Sequence, residues 1–173
     1  MLEYLRNNLI QGFRVSPLRE VRASLSLMLL FALVALPIGI SGRLFTFQTV
    51  DRKTACIAVF SLFLFPALLE ESFFRGLLIP FNSRQKKKQS VLLLTLFSAC
   101  LFTLWHPFNA LTINPGAQAL FCDPYFLVIV FCLGIVCSLS YIISRSLWAP
   151  IIIHWLTVVV WVLLLGGRNL LLR

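Results

Sequence analysis

The 173-residue chain is 60% hydrophobic and only 12% charged, whereas soluble domains average about 45–50% apolar and about 25% charged. The apolar residues come in long runs, which excludes a water-soluble globule and calls for membrane-crossing helices in a single domain. A net charge of +9 suits either nucleic acid or an anionic membrane surface. The basic residues stand between and before the apolar runs, with no aromatic-basic interleaving outside them, so membrane lipids are the expected partner and nucleic acid is not.

Residues 1–22 carry Arg6, Arg14, Arg19 and Arg22, with Leu2, Leu5, Leu9 and Phe13 at helical spacing. The pattern predicts a basic amphipathic helix on the membrane surface. It does not read as a secretory signal, because the apolar stretch that follows is too long. The remaining 23–173 form the membrane domain, an all-α bundle of about five spanning helices. The first span is 23–42, long enough for the ~30 Å hydrocarbon layer, and a short polar loop follows. The second, at 54–80, contains Pro66, Glu70, Glu71 and Arg75 and leads into the basic loop FNSRQKKKQS. The third covers 91–106, and a Pro-, Gly- and Asn-rich loop without Lys or Arg follows it. The fourth covers 126–144. A tight turn at Ser144–Ser146 leads into the fifth, 147–165. The five cysteines, Cys56, Cys100, Cys122, Cys132 and Cys137, make no CxxC pair and four lie inside apolar runs. They read as small buried hydrophobes rather than a disulfide framework or a metal site.

The loop charges orient the chain. With the N-terminus in the cytoplasm, nine Lys and Arg lie inside and five outside, so N-terminus in, C-terminus out is expected.

A charged side chain at the centre of a spanning helix costs about 2.5–3.5 kcal/mol on insertion scales and marks a functional candidate. Glu71 and Arg75 are four apart, on one helical face and in the favourable acid-first order. They can serve a site or simply order the bundle as a buried ion pair. Glu70 is rotated about 100° from Glu71 and lacks that partner, so it is the stronger functional candidate. Pro66 lacks an N–H for the carbonyl of Leu62 and is expected to kink the helix, which suits a water-filled cavity beside Glu70. The two histidines, His106 and His154, both fall at apolar positions on other spans. Facing helices of a bundle build sites from such inward polar groups, and imidazole is suited to proton transfer near neutral pH. Counting 1.5 Å per residue puts Glu70 and His154 at similar depths, about 14 and 11 Å from their cytoplasmic ends, and His106 deeper, at about 23 Å. The third helix must therefore start higher than the others or tilt.

Glu70-Glu71-Ser-Phe-Phe-Arg75 resembles the EExxxR motif of the CPBP family, which includes the CAAX prenyl proteases. Phe102-Thr-Leu-Trp-His106 resembles its FxxxH motif, and His154-Trp-Leu-Thr-Val158 stands where the third, histidine-containing motif belongs. The resemblance implies an intramembrane endopeptidase acting on membrane-associated protein or peptide substrates, in a bacterial-type inner or plasma membrane. It implies that Glu70 activates water, that His106 helps to hold that water, and that His154 stabilises the oxyanion. Glu71, Arg75 and Phe102 would be supporting residues. Eukaryotic CAAX proteases carry an asparagine four residues after the third histidine, where this chain has Val158. Asn109 or Asn114, in the loop after His106, are the available substitutes. Glu70, His106 and His154 also match a His₂Glu zinc site. The cationic Arg75 nearby, and the metal-free sites in the family, favour glutamate–water catalysis without a cofactor. Two other classes compete: a non-enzymatic scaffold or bacteriocin-immunity protein of the same fold, and a proton or ion carrier. A carrier would show inverted repeats, and the sequence has none.

Overall fold

The computed structural model describes residues 2–16, 18–47 and 50–167, and among them all regular structure is helical. Helix α1 spans Leu2–Arg14, α2 Val21–Ser41, α3 Arg52–Leu77, α4 Lys88–Thr112, α5 Pro124–Ser144 and α6 Trp148–Leu164. Helices α2 to α5 are each long and apolar enough to cross a membrane. Helix α6 has 17 residues, at the lower limit of about 17–25 for a crossing. The expected bundle of about five membrane helices is therefore present, and the protein is an integral membrane protein.

Lipid replaces water as the solvent of the outer faces. Leu29, Leu33, Phe60, Leu92 and Leu104 are all exposed, which costs nothing in hydrocarbon. The centre of the bundle is α5, with 56% of its apolar window buried against 17%, 22% and 28% for α2, α3 and α4. Small residues let it sit there, as is usual between membrane helices. A Cβ on Gly134 would stand 3.0 Å from the Ala99 Cα of α4, so a larger residue would push the two helices apart by a few tenths of an ångström.

Helix starts and stops follow local chemistry. Asp51 accepts from the Thr54 N–H to open α3, and Asp123 from the Phe126 N–H to open α5, with Pro124 in the first turn. Both are side-chain N-caps. Helix α5 stops at Arg145, whose left-handed φ of 58° ends the chain of helical bonds. The Ser144 hydroxyl then accepts the Ser146 N–H at 3.0 Å, forming the tight turn into α6.

Three expectations about the elements change. The third span does not end at His106. It starts at Lys88 and continues through Pro107 to Thr112, so Asn109 belongs to the helix rather than to a loop. Unpaired backbone groups are so costly in hydrocarbon that a helix continues through a proline when its neighbours hold it. The Asn109 carbonyl ends it by accepting from the N–H groups of both Ile113 and Asn114 at 2.8 Å. The stretch after it is partly helical too, with turns at Pro115–Ala117 and Gln118–Phe121. Lastly, α1 does more than lie on lipid. Its buried Asn8 donates to the carbonyls of Gly76 and Ile79 at 2.6 and 3.0 Å and accepts from the Phe81 N–H at 2.6 Å. The Gly76 carbonyl belongs to the last turn of α3, where carbonyls lack helical partners, and Ile79 follows two residues beyond its end. Gly12 and Phe13 carbonyls accept from the Leu147 N–H and the Trp148 indole. The N-terminal helix thus ties together the ends of α3 and α5 and the start of α6 on one face of the bundle.

The kink expected at Pro66 is present. Phe65 leaves helical geometry at φ −139°, ψ 117°. Wide turns at Phe63–Leu68 and Ser72–Leu77 flank the single α-turn Leu69–Glu71. Such widened turns recur at functional sites, and here they bracket both glutamates.

Candidate active site

The ionisable core is built from α3 outward. Arg75 and Glu71 are both fully buried and form an ion pair at 2.8 Å, Nη1 to Oε1. Arg75 Nη2 donates to the Gly134 carbonyl of α5 at 3.0 Å, and its guanidinium lies 4.5 Å from the centre of the Phe102 ring. A buried cation is thereby matched by a carboxylate, a backbone dipole and an aromatic face.

Glu71 has a second partner from a distant part of the chain. His154 Nδ1 of α6 stands 2.8 Å from the same Oε1. A carboxylate facing Nδ1 fixes the ring and leaves Nε2 as the working nitrogen. His106 of α4 is held likewise, with Nδ1 3.0 Å from the Phe102 carbonyl. A carbonyl only accepts, so this Nδ1 carries the proton and Nε2 presents its lone pair. The Phe102 ring stands edge-on between the two imidazoles, its centre 5.2 Å from His106 and 5.5 Å from His154.

Glu70, one residue from Glu71, turns the other way. Its Oε1 accepts from the Trp105 indole N–H at 3.0 Å, while its Oε2 is buried with no hydrogen-bond partner. Buried polar atoms without partners are rare, and each calls for an explanation. The Glu70 side chain borders a cavity of about 540 Å³ that is also lined by His106, His154, Asn109, Asn114 and Val158. The remaining walls are almost all apolar, among them Met28, Phe31, Phe65 and Phe126. All three ionisable residues singled out from separate spans therefore meet at one cavity, and the greater depth counted for His106 does not part them.

The expected supporting residues take definite places. Phe102, His106 and Asn109 share one face of α4, at helical spacing. Asn109 is nearly buried and borders the cavity from the last turn of that helix, and Asn114 borders it from the loop beyond. Val158 turns an apolar side chain to the same space.

For zinc, the oxygen and nitrogens left over (Glu70 Oε2 and Nε2 of each histidine) are ligands of the right chemistry. They are not grouped for one ion: among the described residues, no three His, Cys, Asp or Glu side chains gather as a metal centre requires.

Sequence reasoning missed three partners: the Trp105 indole, the Gly134 carbonyl and the Glu71–His154 contact. Only the first had a local signal. A tryptophan N–H in an apolar helix needs an acceptor, and Trp105 precedes a candidate histidine.

No curated protein and no solved structure matches the chain. A family model described as type II CAAX prenyl endopeptidase Rce1-like matches residues 52–160. That stretch runs from the first residue of α3 into α6 and holds every ionisable residue of the cavity. The match covers more than half of the sequence, and the chain therefore belongs to the Rce1-like family of type II CAAX prenyl endopeptidases.

Proposed function

We propose that the chain is an intramembrane endopeptidase in which Glu70 activates water within the cavity. The observation that carries this reading is the Glu70 carboxylate, held at Oε1 by the Trp105 indole, on a cavity that it shares with two anchored histidines. Family membership supports proteolysis of membrane-associated peptides at a coarser level. In the proposed reaction, Oε2 takes a proton from water as the water oxygen attacks the peptide carbonyl carbon. His106 Nε2 accepts the other water hydrogen and so orients the nucleophile. The carbonyl oxygen becomes an oxyanion facing His154, which donates from Nε2 while Glu71 balances charge at Nδ1. The Asn109 amide is the second donor, in place of the side chain that Val158 does not supply. Glu70 then returns the proton to the leaving amine, and the C–N bond breaks. The apolar walls suit a substrate with a lipid group or apolar residues beside the scissile bond. No metal enters any step.

In the proposed arrangement, residues 1–22 form a lipid-facing basic segment and 23–173 the protease domain. The N-terminus and the basic loop at 81–90 face the cytoplasm, towards anionic headgroups.

The test is cleavage of an internally quenched prenylated CAAX peptide, and of its unprenylated twin, by protein in liposomes. Wild type is expected to cleave at least one, and Glu70→Gln neither. The reading falls if neither peptide is cut and membrane digests of wild-type and Glu70→Gln cells yield the same new N-termini. A scaffold or immunity role would then take its place.

A second expectation separates the mechanisms. Chelators should leave cleavage unchanged, and protein purified without chelator should carry no stoichiometric zinc. His106→Ala and His154→Ala should each lower the rate with no change in metal content. One equivalent of zinc, lost together with activity in both variants, would overturn the metal-free mechanism.

A further inference from the structure

Among the groups at the cavity, Trp105 carries a role beyond lining it. The carboxylate of Glu70 has two chemically equivalent oxygens and, on a long side chain, several rotamers. The structure gives the two oxygens different fates. Oε1 receives the Trp105 indole N–H at 3.0 Å, and Oε2 receives nothing. The indole comes from α4, whose next residue is His106, so one helix holds both Glu70 and the imidazole that faces the same cavity. An indole N–H only donates. It therefore holds a carboxylate oxygen without competing for the proton that the other oxygen must take.

We propose that Trp105 is a positioning residue that assigns Oε2 of Glu70 as the base and sets its distance from the water held by His106. This rests on the reading of Glu70 as the base. The Trp105 ring supports the assignment mechanically: it lies against Phe108 of the same helix, with ring centres 5.8 Å apart, which limits how far the donor can swing.

Trp105→Phe keeps an aromatic ring and removes the donor. A misplacement of about 1 Å costs on the order of 100-fold in rate, so kcat for the quenched peptide should fall about 10- to 100-fold with KM within about twofold of wild type. Trp148→Phe removes an indole bonded to the Phe13 carbonyl of α1 and should change neither. The hydrogen bond also has a readout that needs no turnover. In ¹⁵N-indole-labelled protein, Glu70→Gln turns a charge-assisted bond into a neutral one. The Trp105 indole resonance should shift upfield, while those of Trp148 and Trp155, bonded to backbone carbonyls, stay in place. An unmoved Trp105 resonance overturns the proposal even where Trp105→Phe does not fold. Full kcat in Trp105→Phe, alongside an inactive Glu70→Gln, overturns it and leaves Glu70 as the base. Full activity in Glu70→Gln removes the reading on which it rests, whatever the resonance does.

Discussion

Replacing Glu71 by alanine is expected to destabilise the protein by about 3–5 kcal/mol, the cost of leaving one member of a buried ion pair unmatched. Native proteins are stable by only about 5–15 kcal/mol, so folded yield should fall together with activity. Glu71 and Arg75 are both fully buried, and a single Glu71 oxygen serves both Arg75 and His154. Alanine therefore strands a guanidinium and frees an imidazole at once. The cause can be separated from mere cavity formation. If the stranded charge dominates, Glu71→Ala with Arg75→Met should be more stable than Glu71→Ala alone, because no unmatched cation remains. Denaturant titration in detergent micelles, followed by circular dichroism, reads the order. A double variant less stable than the single one would show that Arg75 contributes chiefly through Gly134 and Phe102.

How much of this was legible beforehand depended on range along the chain. The ion pair was readable because its partners are one helical turn apart, and helical spacing alone sets that contact. The kink was readable because Pro66 lacks an N–H. The three ionisable residues stood out because charge and imidazole are costly in hydrocarbon. The contact between Glu71 and His154 was not readable: 83 residues separate them, and no period in the sequence tells which of two adjacent glutamates a distant histidine meets. The end of α4 was misjudged for a different reason. Pro107 and two asparagines carry the turn signals of a soluble loop, but in a membrane the backbone's need for partners outweighs them. That changed the meaning of Asn109, from a loop residue to one fixed on the His106 face. The docking of α1 was hidden because Asn8 looks like one more polar residue on an amphipathic helix. Its role depends on carbonyls some 70 residues away.

Replacing Glu70 by glutamine should have the opposite profile to Glu71→Ala, with activity lost and the fold kept or strengthened. Glutamine has the shape of glutamate and retains a carbonyl oxygen for the Trp105 N–H, so the contact with α4 survives. It cannot take a proton from water, and loss of a general base typically costs about 100- to 10,000-fold. The stability argument rests on Oε2. An ionised oxygen buried without a partner is held against its desolvation cost, and removing the charge relieves that cost, as is common where a site is built at the expense of stability. The melting temperature of Glu70→Gln in micelles should equal or exceed that of wild type, while cleavage of the quenched peptide falls by at least about 100-fold. Glu70→Asp is the complementary variant. It keeps the carboxylate but draws it back towards α3, away from the Trp105 indole and the cavity. A shift of about 1 Å costs on the order of 100-fold, so it should be folded and slow. If Glu70→Gln loses folded protein while Glu71→Ala keeps it, the two carboxylates have been assigned the wrong way round, and the base must be sought in the pair that binds His154.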